Sequence, residues 1–200
     1  MNTIDPGARA PQLSPALPRR RPSLVALDCD GTLLRSDASL SPESIQVIKR
    51  LHELGVAVTL ATGRRLSGAL PYAQRLGLHE PLVLHNGALL ADPRSGEIFK
   101  YLPLPKAAAA AAIELARRFD LDMLLFTDPT EREGAGLIER LPRNPIDRRF
   151  VLENGGLIKP VPDLLDALPD QPLKLICAGQ PEPVAQFHAQ LQAVLDRNID

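Results

Sequence analysis

Asp28 and Asp30 stand two residues apart in the segment Asp28-Cys29-Asp30-Gly31-Thr32-Leu33, directly after the apolar run Leu24-Val25-Ala26-Leu27. Two carboxylates so spaced at the end of a strand can present oxygens to one cation while occupying different positions around a substrate. Magnesium takes one or two carboxylates and keeps waters and phosphate oxygens as its other ligands. A carboxylate can also attack phosphorus. A neighbouring carboxylic acid can protonate the leaving oxygen and later deprotonate water. Gly31 permits a tight turn, and Thr32 adds a hydroxyl. The pattern D-x-D-G also brings a calcium loop to mind, but that loop needs glycine at its sixth position and glutamate at its twelfth. Here those positions hold Leu33 and Ser39, and a strand precedes them rather than a helix. The calcium loop is excluded.

Two more strand ends carry the same grammar. Val56-Ala57-Val58-Thr59-Leu60 runs into Ala61-Thr62-Gly63-Arg64, and Leu82-Val83-Leu84 runs into His85-Asn86-Gly87. In open α/β sheets ligands bind outside the carboxyl ends of the strands. Three consecutive strands that each deliver polar groups and a glycine to that edge read as one site. Cys29 lies between the two carboxylates, but alternation along the chain turns it away from them, so it reads as a packed thiol. His85 reads as a buried strand-end residue rather than a base. Asp37, Asp122 and Asp128 have no motif around them and read as solvated.

The elements that must position these residues follow from local chemistry. Leu24 to Leu27 is the continuous apolar run of a strand buried on both faces. Ser41-Pro42-Glu43 opens a helix with a capping hydroxyl, a first-turn proline and a first-turn carboxylate. Ile45, Ile48, Leu51 and Leu54 form its buried stripe, and Gly55 stops it. A second helix is expected over Ser67 to Leu76, with Gly77 as its terminator. This β-α-β-α-β order predicts a parallel sheet with strand order 3-2-1. Beyond it, Ala88 to Ala91 and Glu97 to Tyr101 flank Asp92-Pro93-Arg94-Ser95-Gly96 as a hairpin. Lys106 to Phe119, with six consecutive alanines, predicts a helix. Met123 to Phe126 and Leu173 to Cys177 read as strands, and Pro183 to Leu195 as a closing helix. Little can be placed between Thr127 and Gln171, which is rich in Pro, Gly and charge. No repeat of fixed period occurs.

Composition bounds the class. Two hundred residues at 44% hydrophobic content make one or two globular domains. Twenty-three basic and 24 acidic residues leave a net charge of −1, and aromatic residues are 4% of the chain with no Trp, which argues against a nucleic-acid binder. Two cysteines cannot staple a fold of this size, so a reducing, cytoplasmic setting is expected. No apolar run approaches the ~18 residues that span a bilayer. Residues 1–22 hold five prolines and four arginines and read as a disordered leader; Asp28 breaks the apolar stretch that a twin-arginine export signal would need.

Taken together, DCDGTL after an apolar strand, the strand ending in ATGR, and HNGA resemble the haloacid dehalogenase superfamily. More narrowly, they are similar to its Cof-type phosphatases of subclass IIB. The resemblance covers residues 23–91 closely, and residues 92–200 in layout alone. It implies an α/β fold: an incomplete Rossmann-like parallel-sheet core over 23–91 with an inserted, incomplete α+β cap over 92–200. It further implies Asp28 as nucleophile and Asp30 as general acid/base, with Asp28 and the backbone carbonyl of Asp30 ligating Mg²⁺. Thr62 would orient the transferring phosphoryl group, and Gly63 would let the backbone approach it. Arg64 and Asn86 would reach substrate oxygens, although Arg64 serves equally well as a surface ion pair.

The implied activity is Mg²⁺-dependent hydrolysis of a small phosphorylated metabolite, such as a sugar phosphate, through an aspartyl-phosphate. A non-catalytic remnant or phosphate-binding module is the alternative, as is a sugar phosphomutase. Such enzymes also carry a catalytic Lys and a later Gly-Asp-x-x-x-Asp segment. Neither has a counterpart here: Lys174 falls in an expected cap strand and Lys159 is no better placed. The sequence therefore reads as the amino-terminal two-thirds of an enzyme. Substrate identity and oligomeric state are not legible in it.

Overall fold

A computed structural model describes residues 22–195. The leader expected over 1–22 lies, apart from Pro22, outside the described residues. Three sheets organise the described residues. Strands β1 (Leu24–Leu27) and β2 (Ala57–Leu60) pair in parallel, with Leu27 opposite Leu60. Strands β3 (Leu82–Leu84), β4 (Leu89–Ala91) and β5 (Ile98–Tyr101) form an antiparallel meander. The third sheet has the order β8-β7-β6-β9, from β6 (Asp122–Phe126), β7 (Gly136–Ile138), β8 (Ile158–Pro160) and β9 (Lys174–Ala178).

The expected 3-2-1 order holds through a narrow joint. One parallel bridge, Ala61 to Val83, and the Thr62 N–H donating to the Val83 carbonyl at 2.9 Å tie β3 to β2. The rest of β3 departs from expectation by pairing antiparallel with β4, because the short turn at His85–Gly87 folds the chain straight back. The expected hairpin over 88–101 is present as β4 and β5. A second correction concerns β1. It alternates between exposed and half-buried residues, and Leu24 is 52% exposed. Among the described residues only β2 pairs with it, so one edge and one side of the strand stay open.

Local chemistry accounts for the helices. In α1 (Pro42–Glu53) the Ser41 hydroxyl accepts the Ser44 N–H at 3.0 Å, Pro42 occupies the first turn, and the chain leaves through Gly55 at φ 71°. Helix α2 (Leu66–Arg75) buries Ala69 and Ala73 against the same core and tolerates Pro71 in its interior. Helix α3 (Lys106–Arg118) buries Ala109, Ala112, Ile113 and Ala116, one stripe at helical spacing. Helix α5 (Pro181–Leu195) packs beside it.

Strand β6 is central in its sheet, and all five of its residues are buried. Met123 and Leu125 join the core under α3 and α5. Leu124 and Phe126 point to the opposite face, into a cluster with Val151, Ile158 and Leu173 that also takes in Ala88 and Tyr101. That second face is what brings the α+β layer against the strand ends of β2 and β3.

The segment left blank between 127 and 171 contains β7, β8 and α4 (Pro145–Glu153). Asp122, read as solvated, is buried. Its carboxylate accepts from Arg140 Nε at 3.0 Å and from the Arg143 N–H at 2.7 Å.

Candidate active site

The turn after β1 is closed by backbone bonds. The Leu33 N–H donates to the Cys29 carbonyl at 3.1 Å and the Leu34 N–H to the same carbonyl at 2.9 Å. Gly31 sits at φ 74°, a conformation that a side chain would strain. This turn leaves the Asp28 and Asp30 side chains exposed on one side and buries Cys29 in the core on the other, as expected from alternation. Burial pushes the Cys29 thiol up, against a smaller pull from a hydrogen bond with Thr62. A protonated, enclosed thiol of this kind is no nucleophile.

The ends of β2 and β3 are zipped together. The Asn86 N–H donates to the Thr62 carbonyl and the His85 N–H to the Arg64 carbonyl, both at 3.1 Å. His85 and Asn86 are consecutive non-glycine residues at positive φ, 49° and 59°. Asparagine tolerates that region, whereas histidine pays for it, so the surrounding bonds hold the chain in a bent conformation. The bend carries the Asn86 side chain over Gly63. A Cβ on Gly63 would lie 2.5 Å from Asn86 Oδ1, so only glycine leaves this approach open. Thr62 is buried, with its hydroxyl accepting the Arg64 N–H at 3.3 Å.

Arg64 joins the first and second strand ends. Its Nε and Nη2 donate to the two carboxylate oxygens of Asp30 at 2.7 and 2.6 Å, and Nη1 donates to the Gly68 carbonyl at 3.0 Å. This fork holds the Asp30 carboxyl below the usual carboxylate range, although the Asp30 side chain is 64% exposed, and it pushes the guanidinium up. The Asp28 side chain makes no hydrogen bond or ion pair among the described residues; only its main-chain carbonyl is engaged, accepting the Leu33 N–H at 3.3 Å. Its carboxylate is the open one.

All six residues singled out by sequence, Asp28, Asp30, Thr62, Gly63, Arg64 and Asn86, therefore come to one edge. Sequence reasoning missed a seventh. Lys174, at the start of β9, donates from Nζ to the Gly63 carbonyl at 3.3 Å. Burial lowers its pKa, and no carboxylate pairs with it among the described residues. A contact across 111 positions of sequence leaves no local signal. His85, correctly read as buried, is 3% exposed, and neither ring nitrogen has a hydrogen-bond partner. Its ring meets Phe126 edge-on at 5.8 Å. Desolvation, with lesser contributions from Lys174 and Arg65, pulls its pKa down to about 4.

The donors that could hold a cation are hard oxygens. No cluster of three His, Cys, Asp or Glu side chains occurs among the described residues. Both Asp30 oxygens are engaged by Arg64, which leaves the Asp28 carboxylate and the Asp30 main-chain carbonyl. That set fits Mg²⁺ in type, since Mg²⁺ needs few protein ligands and fills its octahedron with water and phosphate.

The family model for haloacid dehalogenase-like hydrolases matches residues 25–135. Pyridoxal phosphate phosphatase YbhA of Escherichia coli K12 is 32% identical over 105 residues, covering 52% of this chain and 39% of that protein. The HMP-PP phosphatase of Serratia proteamaculans is 37% identical over 105 residues, covering 52% and 38%. A third relative, the 5-amino-6-(5-phospho-D-ribitylamino)uracil phosphatase YitU of Bacillus subtilis, is 31% identical over 106 residues. The chain thus matches about two-fifths of the length of these curated relatives. Among solved structures, a haloacid dehalogenase-like hydrolase from Bacteroides thetaiotaomicron superposes with TM-score 0.67 at 23% identity, over 90% of this chain and 66% of that one. TM0651 from Thermotoga maritima superposes with TM-score 0.62 at 20% identity, over 88% and 63%. The fold and the DCDGTL, ATGR and HNGA segments point the same way: the chain belongs to the haloacid dehalogenase-like hydrolase family.

Proposed function

We propose that the protein hydrolyses phosphate monoesters of small metabolites, with residues 23–91 as its catalytic core and the α+β layer from 92 onward as the cap. The observation that carries this reading is the open Asp28 carboxylate at the end of β1, the strand paired with the one whose end carries the glycine cradle of Gly63 and Asn86. The relatives' names, which include phosphatases of pyridoxal phosphate and HMP-PP, support the same substrate class.

An Asp28 oxygen attacks phosphorus while the ester P–O bond breaks, and the leaving oxygen takes the proton of Asp30. Asp30 then removes a proton from water, whose oxygen attacks phosphorus and frees Asp28. Thr62, Gly63 and Asn86 align the phosphoryl group through hydrogen bonds and close backbone approach. The Asp28 carboxylate and the Asp30 carbonyl would hold Mg²⁺, which would supply neutralisation of the phosphate charge. Arg64 must loosen its hold on Asp30 for that acid to carry a proton, and an arriving phosphate offers the guanidinium another anion.

The Arg64 fork also supports a second reading, in which Asp30 stays ionised and the site binds phosphate without turning it over. One experiment separates them. The 200-residue chain is mixed with p-nitrophenyl phosphate and Mg²⁺, and the quenched protein is reduced with borohydride, which converts an aspartyl-phosphate to homoserine. The hydrolase reading expects release of nitrophenolate and homoserine at position 28, both absent in Asp28→Asn. Phosphate binding with neither product favours the second reading, and turnover in Asp28→Asn rules out the covalent route.

A further inference from the structure

Beside Gly63, between the 63–68 segment and the α+β layer, lies a cavity of about 320 Å³, at the low end of the ~300–1,000 Å³ usual for small-molecule sites. Its two walls differ in chemistry. Phe126, Phe150 and Ile176 form one, of which Phe150 and Ile176 remain 38% and 36% exposed, with the Arg65 guanidinium 5.7 Å from the centre of the Phe150 ring. The other is cationic, with Arg64, Arg65 and Lys174.

The three cations are not equivalent. Arg64 is neutralised by Asp30, and Arg65 lies 3.7 Å from Glu131 and donates to Asn154 at 2.9 Å. Among the described residues, the hydrogen bond of the Lys174 ammonium goes to a neutral carbonyl, at Gly63, and no carboxylate pairs with it. A half-buried ammonium without a counter-ion is costly. The remaining polar group of the wall, His85, is neutral near pH 7 and has both ring nitrogens unpartnered. The protein has built flat apolar surface, one uncompensated positive charge and unspent hydrogen-bonding capacity into one enclosure.

We infer that this cavity seats the organic part of the phosphate ester, that it selects a planar aromatic ring carrying a second negative charge, and that Lys174 is the residue that reads that charge. Aromatic faces stack on or meet Phe126 and Phe150 edge-on, which a saturated ring cannot do. A carboxylate on the ring completes the ion pair that Lys174 lacks. The inference rests on the hydrolase reading only for the place of the phosphate itself.

The test uses the Asp28→Asn chain, so that nothing turns over, and three esters differing by one property at a time: 4-carboxyphenyl phosphate, phenyl phosphate and cyclohexyl phosphate. By titration calorimetry, 4-carboxyphenyl phosphate should bind about tenfold more tightly than phenyl phosphate, and phenyl more tightly than cyclohexyl. Lys174→Met should bring the affinities of the first two to within about twofold of each other, whatever it does to both. Lys174→Arg, which keeps the charge, should retain the preference, and so guards against a folding defect. Equal binding of all three esters, binding of none, or a preference that survives Lys174→Met overturns the inference. Failure of the hydrolase reading looks different: the unmutated chain leaves p-nitrophenyl phosphate intact while the order of ester affinities persists.

Discussion

At the scale of single residues, His85 ties stability to pH. Its folded pKa of about 4 lies below the ordinary 6.5, so the unfolded chain takes up a proton first as the solution is acidified. The stability it contributes is therefore complete above pH 6.5 and drains away between there and pH 4. The full loss is about 3 kcal/mol, from ~2.5 pK units at 1.36 kcal/mol each. Lys174 and Arg65 add to the effect of burial and Glu131 opposes it. Urea unfolding at a series of pH values should show that fall in the parent, and a shallower one in His85→Asn, whose new side chain accepts the same positive φ. Parallel curves for the two proteins would contradict it. Asp30 is governed by a neighbour instead. Arg64→Met should move the Asp30 midpoint upward, toward the ordinary carboxylate range, in a ¹³C carboxyl NMR titration, because the fork that favours the ionised form is gone. An unmoved midpoint would mean that Arg64 does not set it.

At the scale of elements, the contact between Gly63 and Asn86 is a joint between two strand ends. In Gly63→Ala the new Cβ collides with the end of a side chain, not with backbone. Asn86 must swing aside while the fold stays in place. Phosphate affinity should drop about tenfold, while unfolding free energy changes by less than about 1 kcal/mol. Asn86→Ala in the Gly63→Ala background should add little, because the two act on one contact. In the α+β layer, Asp122→Ala should cost about 1–3 kcal/mol, since it strips a buried acceptor from Arg140 and from the Arg143 N–H. Thermal or urea unfolding measures it. How much of this was legible beforehand varies with range. Ser41-Pro42-Glu43 and the alanine run after Lys106 announced their helices because caps and propensity act within a few residues. The same signature, Asn144 capping the Ile146 N–H with Pro145 and Asp147 behind it, stood in the blank segment. Arg148 and Arg149 hid it by breaking the apolar stripe. The three-residue strands β7 and β8 are too short to show a period, and the sheet's other strands decide their pairing. That the six candidate residues would gather at one edge was legible because each sits at a strand end beside a glycine or a second polar group. Lys174 was read as a strand residue, which it is, but no local feature could show that β9 would be laid across Gly63.

At the scale of the whole molecule, β1 is the exposed part of the design. Among the described residues its outer edge has no partner, and Leu24 and Ala26 are open to solvent. An unpaired apolar edge is a template for association. Light scattering on the 200-residue chain should show mass that rises with concentration, and Ala26→Lys should suppress the rise. A concentration-independent monomer would mean that the edge is protected. The seam between the two layers adds, to the apolar cluster around Phe126, polar contacts gathered on one short segment. Gly63 receives Lys174, Arg65 reaches Asn154, and the Ser67 N–H donates to Glu131 at 3.0 Å. Ser67 lies in the first turn of α2, where an amide has no acceptor within its own helix. Among the described residues, Glu131 is the acceptor that protects it from exchange. The isotope uptake of that single amide therefore acts as a stopwatch for the parting of the two layers, readable without substrate, metal or turnover.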